Sequence, residues 1–198
     1  MEYVLTWQTI FEIIATISGI ICVYLQTLEK IAAWIFGIIS VALLAIIFLD
    51  AQLISDFILH IILLLLNVYG LWQWNRYEEN ENSPHMVLRF TSVHWIIWLA
   101  IIVIVTPLWG FLISRLFTAD LAYFDAFTTV GSLVAQYLLA KKYLENWITW
   151  IVVDVIAIGV YTYKELYFVA FLFLIFLVLC IKGYVEWKGR ERAKSPLP

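Results

Sequence analysis

The stretch Asn67-Val68-Tyr69-Gly70-Leu71-Trp72-Gln73-Trp74 has a counterpart further along the chain, Cys180-Ile181-Lys182-Gly183-Tyr184-Val185-Glu186-Trp187. Gly meets Gly and Trp meets Trp at one offset (183 − 70 = 113 and 187 − 74 = 113). The same ungapped shift lays Trp34 on Trp147, Phe11 on Phe124, Glu12 on Asp125, Thr16 on Thr129, Tyr24 on Tyr137 and Leu53 on Leu166. Leu and Ile coincidences carry little weight in so apolar a chain. The Trp, Gly, Tyr, Thr and acidic matches do carry weight, and self-similarity at a fixed period marks a duplicated structural unit.

Composition sets the solvent. With 64% hydrophobic residues, 14% charged residues and a mean hydropathy of +0.94, the chain lies far from the soluble average and reads as a bilayer protein. Its net charge of −3 has no basic run suited to nucleic acid behind it, so no nucleic-acid partner is expected. Apolar stretches of about 18 residues or more can cross the hydrocarbon core as helices. Seven qualify, near 8–26, 32–49, 53–74, 94–114, 121–140, 146–163 and 165–187.

Under the shift, spans one to three map onto spans five to seven, and span four maps onto nothing. The expected fold is an all-α integral membrane protein of seven transmembrane helices in a parallel three-plus-one-plus-three repeat. The lone crossing lets the second copy begin in the orientation of the first. Parallel repeats of this kind occur among transporters. The expected divisions are residues 1–77 for the first three-helix repeat, 78–118 for a polar loop and linker helix, 119–188 for the second repeat and 189–198 for a basic tail. The start, Met1-Glu2-Tyr3-Val4-Leu5-Thr6, has no basic n-region, so no cleaved signal peptide is expected.

Orientation follows from Lys and Arg. One face of this topology holds only Arg115 and Lys164. The other holds Lys30, Arg76, Arg89, Lys141, Lys142, Lys182, Lys188, Arg190, Arg192 and Lys194. The positive-inside rule then places the N-terminus outside and the C-terminus in the cytoplasm. Trp7, Trp74 and Trp187, near span ends, are expected as interfacial anchors. Pro107 and Gly110 allow a bend in span four.

Ionisable and amide side chains inside spans are costly and should face a cavity or a partner. Helical spacing puts Asp125, Thr129, Ser132 and Gln136 on one face of span five, and Trp147, Trp150 and Asp154 on one face of span six. Asp56, His60 and Asn67 share a face of span three, and Glu12, Thr16 and Gln26 a face of span one. All are expected to point inward, where the simplest role is hydrogen-bonding between helices. The repeat separates scaffold from recognition. Matched positions such as Glu12 with Asp125 hold each copy together, whereas unmatched ones read an asymmetric solute. Gln136 meets Val23, Asp154 meets Val41, Trp150 meets Gly37, Asn146 meets Ala33 and Asn67 meets Cys180.

The candidate substrate-binding set is Gln136, Trp150, Asp154, Asn67, Asn146, Trp147, Thr129, Trp34 and Tyr69. Amides donate and accept, an indole offers a π face and Asp a negative charge, which suits a planar heterocycle, neutral or cationic. A phosphorylated solute is expected to be rejected for want of a buried Lys or Arg. His60 stands alone, so no metal site is expected, and no cofactor is called for. Cys22 and Cys180 lie in apolar runs without disulfide or metal spacing and read as buried small residues.

The run Thr128-Thr129-Val130-Gly131-Ser132-Leu133-Val134-Ala135-Gln136, continuing through Lys141-Lys142-Tyr143-Leu144-Glu145-Asn146-Trp147-Ile148-Thr149-Trp150 to Asp154, resembles the PnuC family of bacterial vitamin transporters. Phe124-Asp125-Ala126-Phe127 and the stretch from Asn67 to Trp74 resemble it too. Many members have Gln where this chain has Asn67 and Trp where it has Phe124. The resemblance implies a three-one-three fold like that of the SWEET transporters, a bacterial inner-membrane location and a homotrimer. It also implies facilitated diffusion of nicotinamide riboside around a midplane site, with the solute trapped by cytosolic phosphorylation. Relatives carrying thiamine or riboflavin are the nearest alternative.

An enzyme is not expected. The chain lacks His-Glu-x-x-His, and Val130-Gly131-Ser132-Leu133-Val134 lacks the second glycine of a nucleophile elbow. A seven-helix photoreceptor would need a lysine in the middle of its last span, where this chain has Phe171 to Phe176.

Overall fold

The computed structural model describes residues 6–79, 87–116 and 121–194. Seven helices follow one another: α1 Trp7–Thr27, α2 Ala32–Asp50, α3 Ile54–Glu79, α4 Ser92–Leu116, α5 Ala122–Ala140, α6 Glu145–Tyr163 and α7 Tyr167–Lys194. Each lies on one expected span. The ends of α3 and α7 overrun the apolar pattern because Asn75-Arg76-Tyr77-Glu78-Glu79 and Lys188 to Lys194 are rich in residues that propagate a helix in water. Six helices are long and apolar enough to cross a membrane; α5 is not among them. Asp125, Thr128, Thr129, Ser132 and Gln136 dilute its hydropathy, and α5 is also rich in buried side chains, among them Val134, Ala135, Gln136 and Leu138.

The chain divides into two compact units, Met1–His85 and Met86–Pro198. In the first, α2 lies between α1 and α3. In the second, α6 lies between α5 and α7, while α4 packs on α5. Phe90, Trp98, Ile101 and Tyr143 close over Val130, Val134 and Leu138 there. The segment before α4 is tied down as well. Leu88 forms a parallel bridge with Tyr143, its N–H donating to Lys142 O and its carbonyl accepting from Leu144 N, both at 2.9 Å.

The tight turns show the internal similarity in backbone detail. Among the described residues, four other than glycine have positive φ: Glu29 at 55°, Gln52 at 59°, Lys142 at 58° and Glu165 at 59°. Two pairs result, each separated by the offset found in the sequence (142 − 29 = 113 and 165 − 52 = 113). Each residue closes the same motif, in which the next N–H reaches five residues back. Lys30 N donates to Leu25 O at 3.0 Å and Tyr143 N to Leu138 O at 3.0 Å. Leu53 N donates to Phe48 O and Leu166 N to Tyr161 O, both at 2.8 Å. These are Schellman caps, which satisfy orphan helix carbonyls and usually place glycine at the left-handed position.

The matched aromatic residues form the core of each unit. Trp34 of α2 meets Trp74 of α3 edge-on at 5.3 Å, and Trp147 of α6 meets Trp187 of α7 edge-on at 5.4 Å. The glycines leave room for the first ring of each pair: a Cβ on Gly70 would collide with the Trp34 indole, and one on Gly183 would lie 2.6 Å from that of Trp147. Trp74 and Trp187 were expected at the lipid headgroups, and the structure overturns this. They are 1% and 0% exposed, each ring packed edge-on against the indole of Trp34 or Trp147 inside its unit. Trp7 is exposed at the start of α1, edge-on to Phe11.

Candidate functional site

The inward faces expected from helical spacing are polar only at certain depths. Glu12 and Asp56 are exposed, near the starts of α1 and α3. Asp125, at the start of α5, receives Lys164 Nζ at 3.1 and 3.2 Å, joining α5 to the turn after α6. Its partner in the repeat, Glu12, has Ala51 at the position equivalent to Lys164, so this matched acidic pair does not share one structural role. His60 donates from Nδ1 to the Asp56 carbonyl oxygen, 2.8 Å away, and packs on Phe48. Among the described residues no group of three His, Cys, Asp or Glu side chains is placed to hold a metal.

The buried polar residues lie deeper and differ between the units. In the first, the Gln26 amide donates to Cys22 Sγ at 3.2 Å. Asn67 Nδ2 donates to Leu63 O at 2.8 Å, and its Oδ1 presses against Gly37 without a hydrogen-bond partner. Gly37 matters here because any side chain would displace Asn67 and approach Cys22 Sγ to 3.0 Å. Tyr69 is half-buried, its ring 5.9 Å from that of Trp72.

In the second unit, Gly131 lets α5 approach α6 so closely that a Cβ there would lie 2.6 Å from Val153 Cγ2. That crossing sets Gln136, buried on α5, and Asp154, the residue after Val153. Asp154 is 1% exposed; the Cys180 thiol hydrogen-bonds its carboxyl, and Oδ2 has no partner. Trp150, one turn before Asp154, and Thr129 on α5 are half-buried. Asn146 is fully enclosed, donating from Nδ2 to Tyr143 O with Oδ1 unpaired. Trp34 and Trp147 serve their own cores, and the indole N–H of each is buried without a partner.

Of the nine candidates, the first unit holds Trp34, Asn67 and Tyr69; the second holds Thr129, Gln136, Asn146, Trp147, Trp150 and Asp154. Two further buried polar groups lie outside the nine candidates. Cys180, at the position equivalent to Asn67, is buried as its apolar run predicts, and Glu145, for which helical spacing gives no inward signal, is buried with Oε2 unpaired. The expectation that no Lys or Arg is buried is corrected by Lys142, which is buried at the α5–α6 turn. Arg89, before α4, donates from Nε to both Glu191 oxygens at 2.9 and 3.1 Å. That bond, reinforced by the charges of Glu191 and Glu145, pushes the guanidinium pKa above its ordinary value.

Chemically, α5, α6 and α7 gather an amide, an indole, an unpaired carboxyl oxygen and a thiol within one unit. That set can hydrogen-bond a planar ring and attract a cation. Residues 9–189 match the family model described as nicotinamide mononucleotide transporter. The chain is 28% identical over 222 residues to the nicotinamide riboside transporter PnuC of Escherichia coli (strain K12), covering 98% of this chain and 91% of that protein. It is 26% identical to the protein of the same name from Neisseria mucosa, covering 88% and 70%. It is 28% identical over 133 residues to the riboflavin/roseoflavin transporter RibM of Streptomyces davaonensis, covering 65% and 61%. A crystal structure of the vitamin B3 transporter PnuC superposes with a TM-score of 0.76 at 24% identity, covering 94% of this chain and 84% of that one.

Proposed function

The chain belongs to the nicotinamide mononucleotide transporter family, and from that premise we propose that it is a multi-pass inner-membrane carrier of nicotinamide riboside. The observation that carries this reading is likeness over nearly the whole length, 98% of the chain, to a transporter named for that solute. The buried groups of the second unit agree with it. Nicotinamide riboside is a pyridinium with a carboxamide and a ribose. Gln136 and Asn146 offer amide partners, Trp150 an aromatic face and Asp154 an unpaired carboxyl oxygen for a cation. The riboside is favoured over the mononucleotide because, among the described residues, the buried basic side chain is Lys142, at a helix-end turn rather than beside Asp154.

We take the carrier to be a uniporter with seven membrane-spanning helices in a parallel three-plus-one-plus-three repeat. Its N-terminus is outside, and the solute is trapped by phosphorylation in the cytosol. The paired turns and paired Trp cores at one offset support the repeat, and the Lys and Arg distribution supports the orientation. A homotrimer follows from family resemblance. Riboflavin is the second reading, favoured by the likeness to the riboflavin transporter.

Counterflow of labelled nicotinamide riboside in liposomes containing the purified protein tests the proposal. Exchange is expected with the riboside and not with its phosphate, and Asp154→Asn and Trp150→Ala should each weaken binding about tenfold, roughly 1.4 kcal/mol. Absence of exchange with the riboside, alongside exchange of riboflavin, replaces the first reading with the second. Accumulation above equilibrium driven by a proton gradient rules out uniport.

A further inference from the structure

Outside the substrate-binding candidates, the second unit contains an incomplete ion cluster. Arg89 is shared between two carboxylates at unequal range: Glu191 of α7 at 2.9 Å, and Glu145 of α6 with Nη1 to Oε1 at 3.9 Å. The two acids are unlike. Glu191 is part-exposed and fully bonded to the guanidinium, whereas Glu145 is 4% exposed and its Oε2 has no partner. A buried carboxylate without a short hydrogen-bonded counter-charge is an unfavourable arrangement, and its relief requires a cation to move closer.

The cation in position to do so is Arg89. Its backbone is fixed, since the neighbouring Leu88 is hydrogen-bonded on both sides to the α5–α6 turn and Phe90 is wedged against Trp98 and Tyr143. Its side chain is 47% exposed, leaving room to swing. Among the described bases of α7, Lys182 and Arg190 both reach Glu186, at 3.6 and 3.3 Å, and Lys188 lies over the Tyr184 ring at 5.3 Å. Lys142 lies at the same turn and has interactions of its own.

We propose that Arg89 is a two-position ionic latch: it closes on Glu191 in the state seen here and transfers to the buried Glu145 in another. The transfer matters because Glu145 opens α6, and the next two residues are Asn146 and Trp147. Pulling Glu145 toward the segment before α4 shifts the first turn of the helix that also carries Trp150 and Asp154. Arg89 and Glu145 are thus positioning residues. They set where α6 begins without touching the solute.

The transfer itself is tested without any solute. Thermal melting of the full-length protein is measured for Arg89→Gln, Glu145→Gln and the double variant, first in the native background and then with Glu191→Gln. With Glu191 neutralised, Arg89 should move to Glu145, and the Arg89–Glu145 coupling should grow by about 2–4 °C in Tm. A coupling no larger than in the native background overturns the latch. If Glu145→Gln does not fold, Glu145→Asp, which keeps the charge but shortens the reach, should show a smaller coupling than Glu145 in the Glu191→Gln background. An equal coupling overturns the proposal.

A second readout rests on the transport reading above. Glu145→Gln should slow nicotinamide riboside exchange at least about fivefold while changing its Kd less than about twofold, and Arg89→Gln should not add to that loss. Native-rate exchange by Glu145→Gln overturns the role in transport. If the native protein exchanges no riboside, the transport reading has failed, and the melting cycle still decides whether the latch exists.

Discussion

At the scale of single residues, two glycines carry as much of the structure as the four buried tryptophans they accompany. Gly70 and Gly183 are helical, so their value lies in the missing side chain rather than in backbone freedom. Adding one methyl group forces the indole of Trp34 or Trp147 out of its slot. Overpacking of this kind costs roughly 1–3 kcal/mol. Gly70→Ala and Gly183→Ala should each lower the Tm of the detergent-solubilised protein by several degrees, whereas Gly159→Ala, inside α6 with nothing near its Cβ, should hold or slightly raise it. Equal effects at the three positions contradict the packing account. The unmatched residues tell the opposite story at the same scale. Gly37 makes room for Asn67 in the first unit, and the equivalent position in the second carries the indole of Trp150. At positions 113 apart, the first unit thus leaves room for an amide where the second carries an aromatic ring.

Between helices, the turns are the informative element. Two in each unit end a helix with a left-handed residue, and at all four places that residue is Glu, Gln or Lys instead of glycine. A side chain in that conformation costs roughly 1 kcal/mol relative to glycine. Gln52→Gly and Glu165→Gly, both at exposed positions, should therefore raise the Tm by a few degrees. A fall would mean that those side chains make contacts outweighing the backbone strain. No glycine or proline marks these turns, so the sequence locates them only through the gap between apolar stretches. Their common conformation becomes legible once two copies are compared. The polarity of α5 has a related origin. Its spacing of Asp125, Thr129, Ser132 and Gln136 foretold a polar face, and α6 and α4 cover much of the helix. That cover permits a hydropathy below that of its neighbours.

For the whole molecule, orientation is the property that most needs measurement. Single cysteines introduced into a background with Cys22 and Cys180 replaced by Ala should report it. Ser114→Cys should react with an impermeant thiol reagent from outside intact cells, and Asn75→Cys only after permeabilisation. The reverse pattern inverts the topology drawn from the Lys and Arg distribution. Hydropathy and period together pointed to the helical membrane class, the order of seven helices and the residues matched between the two units, while the ends of α3 and α7 lie beyond the apolar pattern. The first three are legible because they depend on local composition and on residues repeated at a constant offset. Whether a tryptophan meets headgroups or a second buried indole, which carboxyl oxygen lacks a partner, and that Arg89 pairs with a residue 102 positions away were decided by tertiary structure alone. Those outcomes depend on how helices pack in space, and neither periodicity nor composition specifies which buried atoms come within bonding distance.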